Sequence, residues 1–373
     1  MKHVVALPQV TVLMPVYNGV AHLREAVDSI LAQSFADFEF LIINDGSTDG
    51  SSELLRAYSD PRIRLLDNPV NLGLVATLNR GLELARGALV ARQDHDDWSR
   101  VDRLQMQVDF LRSRPEVLLV GSEAFAVDAR GRIAYRLLRP LGAEGIRWYL
   151  GFDNPFIHSS VMFRRAPIQS VFGAYPQSLH SEDYALWSRV AAKSPTANLG
   201  EPLVFYREHA GSVTGGMSAT DSARFIQITD SIRAANLQHW LDAVGSEGPL
   251  TEAAAAVARI FANRRRLFSR ESAEESLGAM TELLGLRPDL WPVSADLKRT
   301  VAVQFCELAY RLLPISGGMA LRLYARALYL SPGLFGKLPW VRVCALLLLG
   351  DRARRIYLWI QGFNLKLRME TKE

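Results

Sequence analysis

The chain has 373 residues, enough for two domains with their own cores. Hydrophobic residues make up 49% and charged residues 22%, which excludes a disordered or collagen-like chain, and two cysteines exclude a disulfide framework or a Cys-rich metal centre. The net charge of +4 is unevenly spread: residues 1–210 carry 22 Lys+Arg against 24 Asp+Glu and residues 311–373 carry 11 against 3, which excludes a basic nucleic-acid groove running along the whole protein.

The start, Met1-Lys2-His3-Val4, has no long apolar run before Pro8, so no export signal is expected. Val10 to Met14 is a β-rich run that Pro15 is expected to stop. His22 to Gln33 places Leu23, Ala26, Val27, Ile30 and Leu31 at helical spacing. Phe38 to Ile43 reads as a second strand closed by Asn44-Asp45-Gly46, and Ser52 to Tyr58 as a short helix. Ile63 to Leu66 is a third strand, and Leu74 to Leu84 a helix that Gly87 is expected to end as its C′ residue. Ala88 to Ala91 is a fourth strand, running into Asp94-His95-Asp96-Asp97. Such alternation predicts a parallel sheet covered on both faces, with ligands outside the carboxyl ends of its strands.

Gly215-Gly216 marks the expected boundary between a domain over 1–215 and a helical domain over 216–373. Helices are expected at 223–244, 252–268, 273–284 (with Gly285 as its C′ residue), 295–313 and 317–330. The longest late apolar run, Val343 to Leu349, falls well short of the roughly 20 residues a spanning helix needs. In the tail, Ile356, Trp359, Ile360 and Phe363 form an apolar stripe accompanied by Arg352, Arg354, Arg355, Lys366 and Arg368. That pattern suits either packing on its own domain or peripheral contact of 351–369 with an anionic membrane. A cytoplasmic protein is expected, on the inner membrane face if the tail docks there.

Three carboxylates at a strand end repel one another unless a cation or hydrogen-bond donors neutralise them. Oxygen ligands of this kind suit Mg²⁺ or Mn²⁺, and Asp94 and Asp96 can point to one side of an extended chain. The bland alternative is a polar turn with Asp97 or Ser99 capping the next helix. Asn44 to Gly50 is either an Asx-rich turn or a place where Asp45 accepts a nucleobase N–H. Ser181-Glu182-Asp183 opens a helix through Leu186, Trp187 and Val190, where acidic residues need no catalytic explanation.

Taken in order over about residues 8–212, these segments resemble the inverting family 2 glycosyltransferases with the GT-A fold. The resemblance rests on Val12-Leu13-Met14-Pro15-Val16-Tyr17-Asn18, Asn44 to Asp49, Asn71-x-Gly73 through Gly87, Asp94-His95-Asp96-Asp97, His158 to Arg164 and Ser181 to Trp187. Asn44, where the family often has Asp, and His95, where a small residue is common, depart from it. The resemblance implies a GT-A α/β sheet, mostly parallel, followed by a helical C-terminal region. It implies that Pro15, Tyr17, Asp45, Asn71, Gly73, Arg92 and Asp94 bind a nucleotide-sugar, UDP-linked. It further implies that Asp96, with His209, holds Mg²⁺ or Mn²⁺ on the diphosphate, and that Asp183 is the general base. The acceptor would be a hydroxyl of a glycan or lipid-linked molecule, as in cell-surface polysaccharide synthesis. A nucleotidyltransferase and a non-catalytic, nucleotide-binding helical adaptor are the competing readings. The first is disfavoured by a loop after the first strand with no Lys or Arg before Arg24, the second by the presence of Asp94, Asp96 and Asp183.

Overall fold

β1 (Val10–Val16), through Pro15, and β2 (Phe38–Asn44) are buried along their whole length, as strands covered on both faces must be. The computed structural model describes residues 7–177, 180–209, 219–243, 294–312, 327 and 329–331. β1 pairs in parallel with β2 on one side and with β4 (Leu89–Arg92) on the other, and β3 (Ile63–Asp67) continues beyond β2. Alternate residues serve opposite faces. Val10, Val12, Met14 and Val16 pack with Leu23, Ala26, Val27 and Ile30 of α1 (Val20–Leu31). On the other face Leu13, Leu41 and Ile43 pack with Leu78 and Leu82 of α3 (Leu74–Leu84). α2 (Ser51–Arg56) adds Leu55 to the first cluster.

Two local expectations are corrected. Pro15 does not stop β1. The Leu13 carbonyl accepts from Gln93 N–H and the Val16 carbonyl from Asp45 N–H, so alternate residues face the two neighbouring strands. Pro15 faces the side where β4 pairing has already ended at Arg92, so its missing N–H is not needed. Gly87 does not cap α3, which ends at Leu84 with Ala85 extended. A Cβ on Gly87 would lie 2.4 Å from Thr11 N and 2.6 Å from Val10 C, so the residue is there to let two backbones meet.

The second half of the sheet is mixed. It is built from β5 (Trp98–Ser99), β6 (Leu119–Val127), β7 (Ile133–Leu137), β8 (Met162–Arg164) and β9 (Thr196–Arg207). The order is β3-β2-β1-β4-β8-β6-β9-β5, with β7 beside β6. β8 runs antiparallel to β4 and β6, while β9 runs parallel to β6 and carries β5 antiparallel on its far edge. α4 (Arg103–Ser113) covers one face, α5 (Ala143–Leu150) and α7 (Glu182–Lys193) belong to the other, and the short α6 (Arg165–Pro167) follows β8.

The chain divides into two compact units, Met1–Leu250 and Thr251–Glu373. α8 (Ala219–Ala243) lies beyond Gly215-Gly216 yet belongs to the first unit. Its Arg233 Nε donates to the Phe152 carbonyl (2.7 Å), its Asn236 to the Leu150 carbonyl and Ser188 Oγ, and its Trp240 meets Trp148 edge-on. In the second unit α9 (Ala295–Leu312) is the helix expected at 295–313. The helices expected at 252–268 and 273–284, Gly285 and the basic tail lie outside the described residues. Of the helix expected at 317–330, only 327, 329 and 330 fall within them, and these are helical. Among the described residues no helix is long and apolar enough to cross a membrane.

Candidate functional site

The carboxyl ends of β1, β2 and β4 open into a cleft of about 800 Å³. Pro15, Tyr17, Asp45, Asn71, Gly73, Asp94, Asp96 and His209 all line it, although they come from five separate segments of the sequence. Arg92 and Asp183 do not line it. Arg92 is 1% exposed and stands behind Asp94, its Nη1 2.5 Å from Asp94 Oδ1. The cleft residue at the head of α7 is Glu182, next to Asp183.

One wall of the cleft is two loops laced together. Asn18 N–H donates to Ser47 Oγ and Thr48 N–H donates to Asn18 Oδ1 (3.0 and 2.8 Å). Gly19 N–H donates to Ser51 Oγ and Val20 N–H to Asp49 Oδ2, so the first turn of α1 is capped from the next loop. Asp45 is 3% exposed. Its Oδ1 accepts from Asn68 Nδ2 (2.6 Å) and Leu72 N–H (2.9 Å), and its Oδ2 from Gly73 N–H (3.0 Å). Asp45 thus shapes the Asn71–Gly73 loop besides lining the cleft. Asn44, the departure from the family pattern, donates to Asp67 Oδ1 and accepts from Ser47 N–H, tying β2 to β3.

The Asp94–Asp97 turn is not a helix cap. Asp102 occupies the cap of α4, Ser99 lies in β5, and Asp97 Oδ1 accepts from Arg207 N–H at 2.8 Å. Ser159 Oγ lies 2.5 Å from both Asp94 Oδ2 and Asp97 Oδ2. Burial and the charges of Asp96 and Asp94 push Asp97 well above the usual carboxylate range. Burial also works against ionising Asp94, but the Arg92 guanidinium overrides it and holds Asp94 at about 2. Ser159 thus bridges Asp94 and Asp97 through its hydroxyl. Asp96 Oδ2 lies 2.9 Å from His209 Nε2. Ligand atoms of Asp94, Asp96 and Asp97 all fall within 4.8 Å of one another, an oxygen donor set that fits a hard divalent cation.

Asp183 is held by Asn154 Nδ2 (2.8 Å) and by Tyr184 N–H (2.6 Å). Burial and the neighbouring Glu182 raise its carboxyl to about 7, in the range of a general base at neutral pH.

Residues 11–172 match the family described as glycosyl transferase family 2. A Bacillus subtilis protein named as glycosyltransferase EpsE is 34% identical over 207 residues, which cover 54% of this chain and 73% of that one. The amylovoran biosynthesis glycosyltransferase AmsE of Erwinia amylovora is 34% identical over 210 residues, covering 54% and 76%. The chain belongs to glycosyltransferase family 2. The solved structure of S. aureus TarS residues 1–349 in complex with UDP-GlcNAc matches with a TM-score of 0.53 at 17% identity, over 86% of this chain and 89% of that one. This likeness shows a shared GT-A fold. Family membership decides the reading left open by the sequence: the protein is a glycosyltransferase.

The structure adds site residues to this glycosyltransferase that motif reading passes over. Arg207, 3% exposed, donates to the Asp96 carbonyl (3.0 Å), pairs with Glu25 and lies over Trp98. Its position two residues before His209 was the available signal. Ser159 lies in the His158–Arg164 segment that helps carry the resemblance, and its hydroxyl serves the acidic turn. Arg224, from α8, brings a cation to the cleft rim.

Proposed function

We propose that this glycosyltransferase transfers a sugar, with inversion at the anomeric carbon, from a nucleoside-diphosphate donor to a hydroxyl of a glycan or lipid-linked acceptor. The observation that carries the reading is the cleft itself. Asp45, the Asp94–Asp96 turn and Glu182, the residue beside Asp183 at the head of α7, all line one space.

In this reading Tyr17, 45% exposed, offers its ring to the nucleobase, and Asp45 Oδ2 accepts a base N–H beside the Asn71–Gly73 loop. A UDP-linked donor is proposed, the chemistry named in the TarS complex. Asp96 and His209, with Asp94 beside them, would hold Mg²⁺ or Mn²⁺. A divalent cation bound there supplies positive charge for the departing diphosphate. Arg92 acts through Asp94, keeping it ionised. Asp183 takes the proton of the acceptor hydroxyl as that oxygen bonds to the anomeric carbon and the bond from that carbon to the diphosphate oxygen breaks. The relation to AmsE, named for amylovoran biosynthesis, supports a role in cell-surface polysaccharide synthesis.

The test is transfer from a panel of nucleotide-sugars in Mn²⁺ and in excess chelator, with the wild type and with Asp96→Ala. Transfer that needs both metal and Asp96, at an unchanged melting temperature, is expected. Full transfer in chelator would remove the metal from the reading.

A further inference from the structure

Arg103, the first residue of α4, is fully buried directly under the acidic turn. Its guanidinium makes five hydrogen bonds, and each ends on a neutral oxygen. Nε donates to Gln107 Oε1, Nη1 to Gln93 Oε1 and Ser99 Oγ, and Nη2 to the carbonyls of Arg92 and Val161. A buried cation without a paired carboxylate is costly. The burial and the charge of Arg92 lower its pKa, but only to about 9, so it stays charged at neutral pH.

The cost has a structural return in Gln93, which is also fully buried. Gln93 Oε1 accepts from Arg103 Nη1 (2.9 Å) and from Ser99 Oγ (2.8 Å), which fixes the orientation of the amide. Its Nε2 must then face the other way, where it donates to the carbonyls of Asp94 (3.1 Å) and Asp97 (2.9 Å). One amide group thus draws together the two ends of the turn that presents Asp94 and Asp96. Arg103 also holds the carbonyl of Arg92, the last residue of β4 before that turn.

We propose that Arg103 is a positioning residue for the metal-binding turn, acting through the Gln93 amide. The proposal rests on the metal reading given above. Groups that orient metal ligands from behind commonly change metal affinity by about 10- to 100-fold when altered.

The test is a titration of the full chain with Mn²⁺ in the presence of UDP, reading free Mn²⁺ by its paramagnetic resonance signal, with a thermal melt of each variant. Gln93→Glu keeps the shape and can pair with Arg103, but it cannot donate to the Asp94 and Asp97 carbonyls. Arg103→Lys keeps the charge and loses the fork. Arg164→Lys is the control, because Arg164 also donates to backbone carbonyls, those of Val117 and Leu111, away from the turn. A loss of Mn²⁺ affinity of about tenfold or more is expected for Gln93→Glu and Arg103→Lys, with none for Arg164→Lys even where its melt falls as far. Folded Gln93→Glu with wild-type Mn²⁺ affinity would overturn the positioning role and leave the metal reading standing. No Mn²⁺ binding by the wild type would overturn both.

Discussion

Asp183 has a carboxyl raised to about 7 by burial and by Glu182, and two pH effects follow with defined signs. As the proposed general base Asp183 must be ionised to act, so kcat/KM should rise with pH and level off above about 7. In the unfolded chain the same group titrates near the ordinary aspartate value of 3.8. The folded state therefore holds a proton that the unfolded state releases across that interval, and stability falls as pH rises through it. Asp183→Asn should cut turnover by about 10²–10⁴-fold with donor affinity kept, and flatten part of the fall in melting temperature over the interval. A wild-type kcat/KM that is flat across it would return Asp183 to a helix-start role. A second residue-scale prediction concerns His95. A Cβ on Gly19 would lie 2.1 Å from His95 Cδ2, so Gly19 makes room for the ring that departs from the family's small residue. Gly19→Ala should destabilise by about 1–3 kcal/mol, and His95→Ala should recover most of that in a double-mutant cycle read by urea unfolding. Additive losses would contradict the contact.

At the scale of elements, the segment that follows α3 meets β1 backbone to backbone at Gly87. Gly87 N–H donates to Thr11 Oγ1, Thr11 Oγ1 donates to Glu39 Oε1, and Arg86 N–H donates to the same oxygen. Gly87→Ala would press a methyl on the Val10–Thr11 backbone, which cannot swing aside, and should cost about 1–3 kcal/mol or more. A urea midpoint equal to the wild type's would contradict that account. The first four strands and three helices were legible from periodicity, because strands buried on both faces read as apolar runs and α1 and α3 each bury one stripe. Gly87 was misread as a cap because its role depends on a strand far away in sequence. The mixed half was less legible. β5 and β8 span two and three residues, too short for a period. β6 carries Gly121 and a buried Glu123 whose carboxylate pairs with Arg136 on β7, so its strand pattern is broken by tertiary partners.

For the whole molecule, the order of motifs along the chain pointed to the family, and the fold brings eight of the ten expected site residues to one cleft. The sequence could not show that Arg92 works from behind Asp94, or that Ser159 and Arg207 join the acidic turn from more than sixty and more than a hundred residues away. These are contacts between segments, and no local pattern encodes them. The central claim is that this cleft binds a nucleoside diphosphate through a divalent cation on Asp96. The most direct measurement is calorimetric titration of the full chain with UDP and with GDP, in Mn²⁺ and in excess chelator, for the wild type and Asp96→Ala. At least one nucleotide should bind the wild type in Mn²⁺, with affinity falling about tenfold or more in chelator or in Asp96→Ala while the melt stays unchanged. Binding of neither nucleotide, or equal binding with and without the cation, would contradict the account.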